Sequence, residues 1–115
     1  MNKYPENAPF IEYVLLLLRR RKRIRVTGAS MLPGLNAGDE LFVNERAYAN
    51  TLPDEGDIVV AWHPRKPNQK IIKRVSMVLD KGCWLIGDNP AESTDSAKYG
   101  IFPFKRIIGK ITYRC

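Results

Sequence analysis

Ser30 sits in the stretch Thr27-Gly28-Ala29-Ser30-Met31-Leu32-Pro33-Gly34-Leu35, a hydroxyl inside an apolar, turn-rich run. Small residues before it allow close backbone approach, and Pro33 after it fixes a local φ. Serine so near a glycine is ordinary turn chemistry. The same serine becomes a nucleophile only when a neighbouring base takes its proton. His63, the sole histidine, is followed by Pro64 and Arg65, a setting that predicts a surface residue at a turn. Lysine is the other candidate, since Ser–Lys pairs are a variant of the serine-nucleophile design. A lysine base must come down by roughly three units from its unperturbed pKa of about 10.4 to be neutral near pH 7, and desolvation is what lowers it. Lys73 lies in Gln69-Lys70-Ile71-Ile72-Lys73-Arg74-Val75, where strand alternation puts Ile71, Lys73 and Val75 on one face and Ile72 and Arg74 on the other. The competing reading is a lysine that snorkels from an exposed face. Cys83 and Cys115 have no metal-ligand spacing and form no disulfide framework, so they read as free thiols and favour a reducing compartment.

The elements that must position these groups are short. Candidate strands are 23–27, 40–44, 57–63, 70–78, 83–86 and 106–113, each rich in β-branched or aromatic residues and separated by turns such as Asn36-Ala37-Gly38-Asp39 and Gly87-Asp88-Asn89-Pro90. This predicts a mostly β fold: a compact, coiled or partly closed antiparallel barrel with a short N-terminal helix. With 115 residues the chain holds one core, read as an N-terminal helix and basic segment (1–22) followed by a catalytic β domain (23–115). The formal charge of +7 is local, because without Arg19, Arg20, Arg21, Lys22, Arg23 and Arg25 it falls to +1. A fold-wide nucleic-acid surface is therefore not expected, and the remaining form of that reading is a basic β-barrel binding through residues 19–25. Phe10 to Leu18 is apolar but contains Glu12 and is far shorter than the roughly 20 residues of a membrane span. Its positive charge follows the apolar run, so a secretory signal is not expected either. It reads as a helix docking Leu, Val and Tyr on the domain, or as a peripheral membrane contact through residues 10–25. The expected location is cytoplasmic, with or without that contact.

Three boxes in order resemble the type I signal peptidase family of Ser–Lys endopeptidases. They are Gly28 to Leu35, then Gly56 to Val60 with Ile71 to Val75, then Gly87 to Ser96 with Tyr99-Gly100 and Ile107 to Lys110. The resemblance implies that Ser30 attacks the scissile carbonyl with Lys73 as general base. It further implies that Ser93 hydrogen-bonds the Lys73 amine and that Asp88 pairs with Arg74. Where some members carry a hydroxyl two residues before the nucleophile, this chain has Gly28, which leaves the oxyanion to backbone N–H groups, chiefly that of Ser30. Where members often carry an arginine after the aspartate, this chain has Ala97, so an ion pair of Asp95 is in doubt. Only 13 residues separate Lys73 from Gly87, too few for a large accessory β domain. The short pattern most resembles the nickel-type superoxide dismutase maturation protease group, which implies a protein substrate with an N-terminal pro-sequence and nickel carried by that substrate. No metal or cofactor is expected in the chain itself. The autoprotease domain of an SOS-repressor-type regulator shares the design, but residues 1–25 are too few for its helix-turn-helix domain.

Overall fold

The computed structural model describes residues 4–89 and 95–115. Its elements are α1 (Phe10–Leu17), β1 (Lys22–Arg25), β2 (Glu40–Asn44), β3 (Ile58–Trp62), β4 (Lys70–Leu79), β5 (Gly82–Ile86), α2 (Ser96–Tyr99), β6 (Phe102–Pro103) and β7 (Ile107–Arg114). The strands form one antiparallel sheet in the order β1-β2-β7-β3-β4-β5-β6, a half-barrel, as the strand pattern predicts. α2 and β6 were not among the expected elements. The sequence there is short and broken by Gly100 and Pro103, too brief for a period to show.

β3 explains why a single sheet suffices for a core. Ile58, Val59, Val60 and Ala61 are all buried, so the strand feeds both faces. Val60 and Ile72 lie opposite each other and join Met31, Leu35, Leu41 and Ile111 on one face. Val59, Ala61, Ile71 and Val75 join Cys83, Leu85 and Phe102 on the other. The β3–β4 register pairs Val59 with Lys73 and Ile58 with Arg74, which puts neighbouring cations of β4 on opposite faces.

Curling brings two strands, β1 and the first half of β4, toward each other. Among the described residues β1 pairs only with β2, and β5 joins β4 only from Arg74 onward, so no described strand borders the outer side of residues 70–72. Between them lies a cleft of about 220 Å3 lined by residues 24–31 and 69–73.

The N-terminal helix corrects an expectation. Val14, Leu15 and Leu16 are only half-buried, and the residue that α1 buries most deeply is Glu12, at 3% exposure. Glu12 accepts from Arg21 Nε at 3.0 Å and from the Thr112 hydroxyl at 2.9 Å, while the Tyr13 ring meets Phe42 edge-on. Residues ahead of the helix follow the end of β7, with Ala8 N–H donating to Arg114 O and Arg114 N–H to Glu6 O.

Candidate active site

Lys73 is 1% exposed, so it does not snorkel; it lies on the apolar face with Ile71 and Val75. Ser30 lines the same cleft, in the turn that follows Gly28. Both lie against a residue without a side chain, Gly87. A Cβ at Gly87 would stand 3.3 Å from Ser30 Cβ, 3.4 Å from Lys73 Nζ and 2.9 Å from Ser30 O. Serine and lysine therefore flank the bare backbone of Gly87, no farther apart than those first two distances together. A side chain at position 87 would crowd both of them.

The turn after β5 also fixes the serine loop. Asn89 Nδ2 donates to Ala29 O at 2.8 Å, and Asn89 N–H donates to Ser30 O at 2.8 Å. The Ala29–Ser30 peptide is trans, so its N–H points away from its carbonyl. Anchoring Ala29 O on Asn89 thus aims the Ser30 N–H to the opposite side. At Gly28 the backbone has φ +83°, a conformation that suits glycine, and a Cβ would meet nothing within 4 Å.

Asp88, the middle residue of that turn, binds Arg74 through two nitrogens: Arg74 Nε to Oδ1 at 3.0 Å and Arg74 NH2 to Oδ2 at 2.8 Å, with both side chains 4% exposed. Arg74 NH1 donates to Gly56 O at 2.9 Å. The Tyr4 hydroxyl also donates to Asp88, and the Arg74 guanidinium lies 5.1 Å from the Tyr4 ring. Burial pushes the Asp88 carboxyl up, but the hydrogen bonds from Arg74 and Tyr4 and the Arg74 charge outweigh it and hold the group below the usual carboxylate range. Tyr4, Gly87 and Asn89 were not singled out as site residues. The Gly-Asp-Asn triplet was the available signal for two of them, whereas nothing in the sequence connects Tyr4 to a residue 84 positions away.

Asp95 makes no ion pair among the described residues. Its carboxylate instead accepts from Ala97 N–H at 3.0 Å, capping α2, and from Gly87 N–H at 3.1 Å. The next residue, Ser96, accepts from Leu85 N–H at 2.8 Å. Both contacts tie α2 to the strand that leads into the site. Ser93 lies outside the described residues. His63 is not the surface residue expected. It is 3% exposed, packs edge-on against Tyr99, and its Nδ1 accepts from Arg65 and Lys66 N–H, both at 3.0 Å. Burial lowers its pKa, and the charges of Lys66 and Lys98 lower it further. This is a neutral ring capping a turn, with its lone pair already engaged.

The model of the family described as signal peptidase, peptidase S26 matches residues 10–78. The chain belongs to the S26 signal peptidase family. As a member of it, the chain is a signal-peptidase-like, serine-type protease. It is 31% identical over 137 residues to mitochondrial ATP-independent inner membrane protease subunit 1a of Arabidopsis thaliana, covering 95% of this chain and 82% of that one. It is 34% identical over 108 residues to mitochondrial inner membrane protease subunit 1 of Xenopus tropicalis, covering 76% and 65%. With the mouse subunit 1 the identity is 31% over 111 residues, covering 79% and 67%. No described helix of this S26 member is long and apolar enough to cross a membrane. The relatives are named for an inner membrane and give no support to the cytoplasmic location expected from the sequence, nor do their names mention a dismutase precursor.

Proposed function

We propose that Ser30 is the nucleophile and Lys73 the general base of an endopeptidase that removes an N-terminal extension from a precursor protein. The observation that carries this reading is the approach of Ser30 Cβ and Lys73 Nζ to the same side-chain-free point at Gly87. Burial at Lys73 supports it, because low-dielectric surroundings favour the amine over the ammonium.

In the proposed reaction, Lys73 Nζ takes the proton of Ser30 Oγ as that oxygen bonds to the scissile carbonyl carbon. The Ser30 N–H, aimed by the Asn89 contact to Ala29 O, holds the developing oxyanion. As the intermediate collapses, the C–N bond breaks and the leaving amine receives the proton from Lys73. Water then attacks the acyl-enzyme carbonyl, gives a proton to Lys73, and Ser30 leaves with that proton restored to its oxygen. Ser93 would hold the Lys73 amine in line. Asp88 and Arg74 would brace the strand that carries the base, and Asp95 the backbone of Gly87. The cleft runs along β1 and the start of β4, and two strands side by side suit an extended peptide added along them.

The finer substrate reading is the pro-form of a nickel superoxide dismutase, whose metal belongs to the substrate. The protease would meet it at a membrane surface touched peripherally through residues 10–25. Mass spectrometry of that pro-form and of a generic signal-peptide precursor tests both points. Ser30→Ala and Lys73→Ala should each reduce cleavage by roughly ten-thousandfold or more. Cleavage that survives either change removes that residue from the mechanism, and cutting of the generic precursor alone removes the dismutase.

A further inference from the structure

α1 is built inside out. Phe10, Ile11, Val14, Leu17 and Leu18 stand at positions i, i+1, i+4, i+7 and i+8, one stripe of about 120° on a helix, the pattern that normally faces a core. Here four of its five residues face outward, Phe10 at 81% exposure, Ile11 at 54%, Leu17 at 83% and Leu18 at 65%, with Val14 half-buried among them. Opposite it, Glu12 points inward and is held by Arg21 and Thr112. The ion pair sets the helix's rotation, because turning the leucines inward would put the carboxylate out and leave Arg21, 17% exposed, without its partner.

Directly after Leu18 the charge changes. Arg19, Arg20, Arg21 and Lys22, with Arg46 from the loop after β2, line a cleft of about 380 Å3 in which Glu45 is the only acid among the described residues. Arg21 is neutralised by Glu12 and Lys22 by Glu45, at 3.0 and 3.2 Å. Arg19, Arg20 and Arg46 have no ion pair among the described residues. An apolar stripe that runs into unneutralised arginines matches the two layers of a phospholipid surface, acyl chains and then phosphates.

We propose that this face docks on anionic phospholipid, with α1 lying in the interface and the Arg19–Arg20–Arg46 cleft taking headgroup phosphate. The inference deepens the peripheral contact proposed above by naming its face and its lipid, and it does not depend on the Ser30–Lys73 reading. It also places the chemistry. β1 leaves the basic cleft at Lys22 and enters the catalytic cleft at Ile24 and Arg25, about 10 Å of extended chain, so a precursor would be cut close to the headgroups.

The test is flotation of the full chain with vesicles of phosphatidylcholine alone and of an equimolar mixture with phosphatidylglycerol. Wild type floats with the mixed vesicles and not with the neutral ones. Leu17→Ser/Leu18→Ser and Arg19→Ser/Arg20→Ser each lower partitioning at least about tenfold. All four side chains are exposed, so thermal unfolding of both variants matches wild type. Phe10→Ser provides a third, independent change in the stripe. Wild type remaining in solution, equal binding to neutral vesicles, or unchanged binding of both double variants would each overturn the proposal. So would a wild-type dimer that the leucine variant converts to monomer without lipid, which would make the occupant a second copy. Partitioning needs no cleavage, so a failure of the dyad shows in the peptidase assay and leaves flotation unchanged.

Discussion

Two buried ion pairs hold two parts of this molecule in place, and they differ in how completely the protein surrounds them. Arg74–Asp88 is enclosed at both ends, bidentate, and further hydrogen-bonded to Tyr4 and Gly56. Arg21–Glu12 buries its acid but leaves the arginine partly in water. The enclosed pair sits behind the strand and turn that carry Lys73 and Gly87. The open pair sits under a helix whose outer face is unsatisfied. A pair shut away from water fixes position at a high cost if broken, whereas a pair open at one end sets a rotation and can relax.

The largest effect expected from this contrast is that of Asp88→Ala. It removes the buried carboxylate that neutralises Arg74 and should lower the unfolding free energy by about 3–5 kcal/mol in denaturant titration. The pH dependence has the same origin. Because the folded carboxyl is held below its unfolded range, its stabilisation is full above about pH 4 and is lost as pH falls through the folded value. Gly87→Ala should follow, read on the chemistry. A Cβ 2.9 Å from Ser30 O forces the serine loop aside, and kcat/KM should drop about a hundredfold. Glu12→Ala should cost only about 1–2 kcal/mol, since Arg21 can turn to solvent. Equal losses for Asp88→Ala and Glu12→Ala would break the comparison.

His63 sharpens it with a buried group that stays neutral. Its pKa is lowered in the folded state, so protonation favours unfolding. Thermal stability should therefore decline as pH falls below about 6.5, and His63→Gln should flatten that part of the profile. A profile unchanged by the substitution would take His63 out of the account.

The sequence by itself determined every strand but β6, because period-two runs such as Ile71 to Val75 and turn residues between them specify faces locally. It also indicated which lysine could be dry, since alternation puts Lys73 between Ile71 and Val75 whatever the neighbouring strands are. The Asp88–Arg74 pairing came from family resemblance, and the geometry accords with it. Other features needed the tertiary structure, because they depend on contacts between distant segments. These include Tyr4 on Asp88, Asn89 on the carbonyls of Ala29 and Ser30, and the bare Gly87 against both serine and lysine. The same is true of Asp95, whose missing arginine was visible but whose backbone partners were not. His63 was misread because a proline turn suggests exposure, while burial depends on Tyr99 arriving from α2. The helix is the sharpest case. Its apolar stripe is legible as a stripe, but only the partners of Glu12, in Arg21 and in Thr112 at the far end of the chain, decide which side of it faces out.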